Sequence, residues 1–399
     1  MNSNFVNTEE ALEIIREGGI LILTDDEKRE NEGDFVMAAE HATPETVNFM
    51  ITNGRGLLCI SGSEEKIKKV GLPMMVEKNT SKLGTPFTVP IDAKNGTTTG
   101  ISAHERCETI KQFVKDDATL DDFNVPGHLF PLRAAKGGVL KRAGHTEGTT
   151  DLARLAGCKS IGLLCEILNE DGTMARMPQL EKIAEKFDLK IATITDLIEY
   201  RRKNEQLIVD SVQTNLPTDY GDFTLHLFES KIENQHHLAI VMGDISGDEP
   251  VLVRVHSECL TGDALHSMRC DCGMQLDAAM KKIAEEGRGA ILYMRQEGRG
   301  IGLPAKMHAY HLQDHGADTV EANEELGYAA DLRDYGYGAQ MLTALGLTKI
   351  KLMTNNPRKI VGLEGYGIEI VERVPIIIEP NPHNKRYLDT KNKKLGHIL

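Results

Sequence analysis

Short apolar runs recur along the whole chain, each followed by a polar or glycine-rich segment, with amphipathic stretches between them. In the first half, residues 19–23, 57–60 and 161–168 are apolar and short, which predicts buried strands. Residues 8–18 place Leu12 and Ile15 on one helical face and end in Gly18-Gly19, a helix with its stop. Thr43-Pro44 gives a cap followed by proline at the first helical position, and Val47, Met50 and Ile51 form that helix's apolar face. Ser102 and Glu105 carry the spacing of a capping box. Residues 124–128, Asn-Val-Pro-Gly-His, read as a turn. A helix is predicted from 142–147 to about Gly157, and a last helix over 195–203.

The second half repeats the style with different elements. Residues 238–243 and 251–255 predict strands around a Gly-Asp-Glu-Pro turn, and the alternation in the second could aim Arg254 and His256 toward one face. Residues 273–286 form a helix whose Leu276, Ala279, Met280 and Ile283 are core. Strands over 290–294 and 349–354 flank a helix over 304–316. Beyond about 375 the chain turns basic and polar and reads as a loosely ordered extension.

Length and charge narrow the picture. At 399 residues the chain is long for one core and suggests two domains, with the charged segment RRKNEQ as the joint at about 202. The expected domains are 1–202 and 203–399. No apolar run approaches the ~18 residues of a membrane span, and the N-terminus lacks the pattern of a secretory signal. The seven cysteines, an odd number, then read as reduced thiols of a cytoplasmic protein. A net charge of -14 argues against a general nucleic-acid binder, while local basic groups can still hold phosphorylated small molecules.

Candidate chemistry concentrates in a few stretches. Cys259, Cys270 and Cys272 fall within one polar loop, a spacing suited to zinc. Three ligands leave a position open for catalysis, or His256 or His266 completes a structural site; the spacing allows both. Arg254, His256, Ser257, Glu258 and Gln275 crowd around these thiols. The loop closely resembles the zinc loop of GTP cyclohydrolase II. In the first half, six carboxylates lie between Asp25 and Asp34, either a solvated face or a site for a hard cation. His128 leaves the turn at 124–128, as a surface residue or a catalytic one. The segment from Arg142 to Glu147 puts an arginine, a histidine and a helix N-terminus together, which suits a phosphate. Glu166 interrupts an apolar strand, a carboxylate that is either paired or functional. Together REN-EGD, GHTE and CEI closely resemble 3,4-dihydroxy-2-butanone 4-phosphate synthase.

The two resemblances cover nearly the whole first half and about residues 208–375. They imply an α+β chain of two mixed α/β domains and a bifunctional enzyme. One half would convert ribulose 5-phosphate to 3,4-dihydroxy-2-butanone 4-phosphate plus formate. The other would open GTP to a diaminopyrimidinone phosphate, formate and pyrophosphate. For the first, the resemblance implies Mg2+ or Mn2+ on Glu30 and His145. It further implies sugar-phosphate contacts from Arg29, Glu30, Asp34, Arg142, Ala143, Gly144, His145, Thr146 and Glu166, with proton transfers at His128 and Glu166. For the second, it implies Zn2+ on Cys259, Cys270 and Cys272, with Mg2+ accompanying the triphosphate. GTP would be contacted by Arg254, Val255, His256, Ser257, Glu258, Gln275, Glu297, Gly298, Arg299, Thr319, Thr354 and Lys359. Asp331 matches the proton acceptor, Arg333 the residue directed at the α-phosphate, and Tyr310 a group positioning the guanine side. Arginine is protonated throughout the usual pH range, so charge stabilisation suits Arg333 better than nucleophilic attack. The implied assembly is a homodimer without nucleic-acid or membrane partners. The alternative is a chain with one half catalytic and the other a scaffold or regulatory module.

Overall fold

A computed structural model describes residues 4–395 except Lys28, Glu233, 329–335 and Gly365. The chain divides into two compact units, Met1–Asn204 and Glu205–Leu399. Each is built on a seven-stranded mixed sheet with helices packed against it.

The first sheet contains β1 (Leu21–Thr24), β2 (Gly33–Ala38), β3 (Arg55–Gly62), β4 (Ile91–Ala93), β5 (Phe123–Arg133), β6 (Ile161–Ile167) and β7 (Lys190–Thr193). Their order is β4-β5-β3-β6-β2-β1-β7. β1 and β2 are buried on both faces, in keeping with the apolar runs Leu21–Leu23 and Phe35–Ala38 that make up most of each. Antiparallel pairing sets Asp34 at the start of β2 directly across from Glu166 near the end of β6. Register thus brings together two carboxylates separated by 132 positions.

The polar segments behave less simply than their sequence suggests. Residues 124–128, read as a turn, lie inside β5. The β4–β5 register nevertheless jumps there, with Asp92 facing Asn124 and Ile91 facing Leu129, so the extra residues form a bulge. Ser102 caps its helix as expected, but the Glu105 carboxylate turns to Thr98 and Ser102 instead of closing a capping box. The supposed joint is also partly helix, because residues Ile194–Asn204 are helical. Arg201 in that stretch is 4% exposed, and its guanidinium meets buried Asp151 at 2.7 Å. Burial pushes the Asp151 carboxyl up, and Arg201 opposes that rise. Removing Arg201 leaves the buried carboxylate with only the Val139 amide at 2.8 Å and a longer contact to Arg154 at 3.4 Å, so Arg201→Met is expected to cost about 3 kcal/mol. The measurement is the urea midpoint for loss of activity of the first unit; an unchanged midpoint would show that Asp151 does not need this partner.

The second sheet contains β8 (Ile208–Thr218), β9 (Gly221–Ser230), β10 (His236–Met242), β11 (Val251–Ser257), β12 (Gly289–Met294), β13 (Lys349–Met353) and β14 (Glu369–Val374). Their order is β14-β13-β11-β12-β10-β9-β8. β12, β11, β13 and β14 are parallel neighbours, while β8, β9, β10 and β12 pair antiparallel. Val251, Val253 and Val255 join one core, and Leu252 the other, with Ala279, Met280 and Ile283 of the Cys272–Glu286 helix. The carboxyl ends of β11, β12 and β13 therefore open on one edge of a covered parallel sheet, where ligands bind in such folds. The C-terminal region departs most from expectation: Lys385–Leu395 is a helix, with Asn384, Leu388, Thr390 and Lys391 buried.

Candidate active sites

In the first unit, the loop after β1 separates its charges by direction. Asp26 and Glu27 face solvent, while Asp25 and Asp34 are buried. The Asp25 carboxylate accepts from the Glu30 and Glu32 amides at 3.0 and 2.9 Å and pairs with Arg29 at 2.9 Å, which fixes the loop's shape. Arg29 also meets Glu30 at 2.6 Å, and Glu30 lies 3.6 Å from His145 Nδ1. Asp25, Glu30 and His145 can each turn one ligand atom toward a common point, all within 4.8 Å of one another. Buried His145 Nε2 and Asp34 Oδ1 have no hydrogen-bond partner. An orphaned imidazole nitrogen among oxygen donors fits a divalent cation.

The electrostatics agree. Hydrogen bonding to His145, with Arg29 beside it, lowers Glu30 to about 2 against the effect of burial. Burial raises Asp34 to about 7. Burial opposes a charge on His145, but Asp34, Glu30 and Asp25 outweigh it and raise this histidine to about 9. The cluster holds a proton where a cation would otherwise compensate its negative charge.

Gly144 caps the helix His145–Leu155. A Cβ there would lie 2.4 Å from Arg142 Nη1 and 3.0 Å from Arg29 Nη2. Glycine therefore lets two guanidiniums converge on a helix N-terminus, an arrangement suited to a phosphate. Arg142 is held by fully buried Glu147 at 2.6 Å. Thr146 is buried in the first turn and Ala143 packs on the core beside it. Glu166 is half-buried, less enclosed than its apolar frame suggests, and accepts from the Leu57 amide at 2.7 Å. His128 is exposed; its Nδ1 lies 2.8 Å from Asp92 Oδ2, and its amide donates to Asp92 Oδ1 at 2.9 Å. Asp92, which no motif singled out, thus sets the orientation of His128.

In the second unit, the cysteine loop follows β11 directly. The Cys259 and Cys270 sulfurs are 3.7 Å apart, and all three sulfurs lie within 4.8 Å of one another. A Cβ on Gly262 would meet the Cys270 and Cys259 sulfurs at 2.9 and 3.2 Å, so only glycine lets the backbone pass so close. The neighbouring thiols, together with Lys306, hold Cys259 as a thiolate, while Cys270 rises to about 11 beside it. Such a set of soft donors fits zinc, which would take the place of the protons.

Asp263 fastens this loop to the sheet. It accepts from the Cys259 amide and Tyr293 hydroxyl, both at 2.9 Å, and faces His256 Nε2 at 3.1 Å. Burial lowers His256 against the pull of Asp263, favouring the neutral ring, and its buried Nδ1 has no hydrogen-bond partner. Lys306, also absent from the motifs, meets Glu297 at 2.7 Å, Thr261 at 3.0 Å and the Cys259 sulfur at 3.2 Å. Glu297 in turn accepts from the Leu260 amide at 2.7 Å.

A cavity beside the thiols gathers most of the expected nucleotide contacts. Arg254, His256, Ser257 and Glu258 enter from the end of β11, and Gln275 from the following helix. Glu297, Gly298 and Arg299 come after β12, with Arg299 itself left-handed at φ 63°. Thr354 and Lys359 come after β13, and Tyr310 donates or accepts across 3.2 Å to Thr261. Val255 contributes its carbonyl to Lys359 Nζ at 2.7 Å. Arg254 reaches the Met353 carbonyl at 2.8 Å and the Gln275 side chain. Thr319 opens the helix Thr319–Glu325, and Asp331 and Arg333 lie outside the described residues.

Fold and sites define an enzyme of two mixed α/β units, one with a hard-donor cluster beside a phosphate-type helix terminus, the other with a thiolate cluster in a basic cavity. The sequence model of 3,4-dihydroxy-2-butanone 4-phosphate synthase matches residues 9–200, and that of GTP cyclohydrolase II matches residues 209–375. The riboflavin biosynthesis protein RibBA of Chlorobium phaeovibrioides is 56% identical over 399 residues, covering 100% of this chain and 97% of its own. That of Bacillus velezensis is 58% identical over 392 residues, covering 98% of each. Among solved structures, a two-domain 3,4-dihydroxy-2-butanone 4-phosphate synthase from A. baumannii superimposes with a TM-score of 0.69 at 38% identity, covering 94% of this chain and 100% of its own. The chain belongs to the bifunctional family of riboflavin biosynthesis proteins, with a lyase in its first unit and a hydrolase in its second. Among the described residues, no helix is long and apolar enough to cross a membrane.

Proposed function

We propose that each unit works through the residues its site brings together, the observation carrying this reading being two separate donor clusters of opposite chemical character. In the first, Arg29, Arg142 and the helix N-terminus at Gly144 bind the phosphate of ribulose 5-phosphate. Glu30 and His145, with Asp25 beside them, hold Mg2+ or Mn2+. The cation supplies charge for the oxyanion that develops as the ketose enolises. Glu166, oriented by the Leu57 amide and facing Asp34 across the sheet, exchanges protons with the sugar carbons. His128, held by Asp92, serves as a second proton carrier.

In the second unit, Cys259, Cys270 and Cys272 hold Zn2+, which supplies the Lewis acidity for hydrolysis at the purine ring. Arg254, Arg299 and Lys359 offset the charge of the triphosphate and its Mg2+. Glu297, fixed by Lys306 and the Leu260 amide, and Gln275, fixed by Arg254, set polar groups at the cavity wall. Val255, His256, Ser257, Glu258, Gly298, Thr319 and Thr354 complete the GTP contacts, with Asp331 as proton acceptor and Arg333 at the α-phosphate by resemblance. The chain works as a cytoplasmic homodimer on small-molecule substrates.

Purified protein should release formate from ribulose 5-phosphate with Mg2+ and, separately, from GTP with Mg2+ and Zn2+. Folded, metal-loaded protein that releases it from one substrate alone would reduce the other unit to a scaffold.

A further inference from the structure

The match to GTP cyclohydrolase II stops at residue 375, but the cavity does not. Tyr387 and Lys391, on the C-terminal helix Lys385–Leu395, line it together with the three cysteines. The chain is anchored on its way there. Asn355, itself at the cavity, exchanges two hydrogen bonds with the Ile376 backbone at 2.7 and 3.1 Å. Asn384, fully buried, and half-buried Asn381 cap the helix start reciprocally, each side chain accepting from the other's backbone amide, at 2.8 and 3.0 Å.

Lys391 is 8% exposed and donates to Asp271 Oδ1 at 2.6 Å. Asp271 is 1% exposed and sits between Cys270 and Cys272 in the chain. Its other oxygen accepts from Gln275 at 2.6 Å, Gln275 accepts from Arg254, and Arg254 donates to the Met353 carbonyl. A continuous polar path thus runs from the C-terminal helix, through the residue between two thiols, to the end of β13. Lys391 also lies 4.6 Å from the centre of the Tyr387 ring, which fixes that ring at the cavity wall.

Charge gives the path its purpose. Three thiolates with a divalent cation carry one surplus negative charge, and buried Asp271 adds another. Lys306 touches Cys259 on one side of the cluster, and Lys391 touches Asp271 on the other. We propose that Lys391 is a positioning residue of the GTP-opening site, bracing the Cys270–Asp271–Cys272 segment through Asp271 and making the C-terminal helix part of that site. This rests on the assignment of zinc to the three cysteines. Unbraced, Asp271 keeps only the neutral Gln275 amide as a partner and is a buried charge without a counter-charge next to two metal ligands, so the loop must rearrange to hydrate it.

The test uses the full-length protein loaded with zinc, and reads zinc release to a chromophoric chelator alongside both formate activities. Lys391→Met should release zinc about ten- to a hundredfold faster and lower kcat for GTP comparably, with a smaller change in KM. Formate release from ribulose 5-phosphate should stay at the wild-type rate, showing that the first unit is untouched. Lys391→Arg should restore most of both properties. Adding Asp271→Asn to Lys391→Met should slow zinc release again, because no buried charge is then stranded; mere loss of helix packing would not respond in this way. Zinc release at the wild-type rate in Lys391→Met, or no recovery in the double variant, overturns the proposal. Zinc absent from the wild-type protein, or retained unchanged in Cys270→Ser, overturns the zinc assignment itself and not the brace alone.

Discussion

Cys270→Ser is expected to abolish formate release from GTP, by at least about 10⁴-fold, while release from ribulose 5-phosphate stays within about twofold of wild type. The reasons are local. A serine hydroxyl is a poor ligand for zinc, and only two thiols would remain. The Cys270 sulfur is 3.7 Å from that of Cys259, and a Cβ on Gly262 would lie 2.9 Å from it, so the backbone packs closely around this thiol. The expected accompaniment is loss of one equivalent of zinc per chain, measured by elemental analysis. A variant that keeps its zinc, or that still opens GTP, would move the hydrolytic centre away from these thiols. Intact synthase activity shows that the change leaves the first unit untouched.

Most of the architecture was legible because burial left a periodic trace. Apolar runs marked β1, β3, β6, β10, β11, β12 and β13, and Thr43-Pro44 marked a helix start. Some candidate site residues could be grouped from sequence because neighbours in sequence stay neighbours in space: Cys259, Cys270 and Cys272 in one segment, Gly144 to Glu147 in one helical turn. What escaped was carried by isolated charges with distant partners. Asp92 and His128 are 36 positions apart, Lys306 and Cys259 are 47, and Lys391 and Asp271 are 120. No local spacing encodes such pairs. A weak signal existed for Asp263, one of two carboxylates inside the cysteine loop and seven positions after His256.

The C-terminal helix shows the same limit most clearly. Its sequence, KRYLDTKNKKL, has few apolar positions, and hydrophobic burial is the main cue by which a helix is read as packed. Here Leu388 is the buried apolar side chain, but Asn384 and Lys391 are buried through polar partners, so composition pointed to solvent where the structure has an enclosed wall.

Glu30→Ala should be the mirror of the cysteine variant: synthase activity lost by at least about 10⁴-fold, GTP opening unchanged. The loss has two parts. Glu30 is the group through which the loop reaches His145, at 3.6 Å, so its removal takes a cation ligand from the Asp25–Glu30–His145 cluster. It also changes the proton that a cation must displace. With Glu30 present, His145 titrates near 9 and is protonated at neutral pH in the metal-free protein. A cation needs the neutral ring, so binding should release a proton, and apparent affinity should rise by about tenfold per pH unit up to about 9 before levelling. Without Glu30, one of the groups raising His145 is gone, so the break in that profile should move to lower pH even as the affinity falls. Calorimetric titration with Mn2+ in buffers of different ionisation enthalpy reads both quantities. Binding with no proton release, or a break that stays in place in the variant, would show that His145 does not hold the metal.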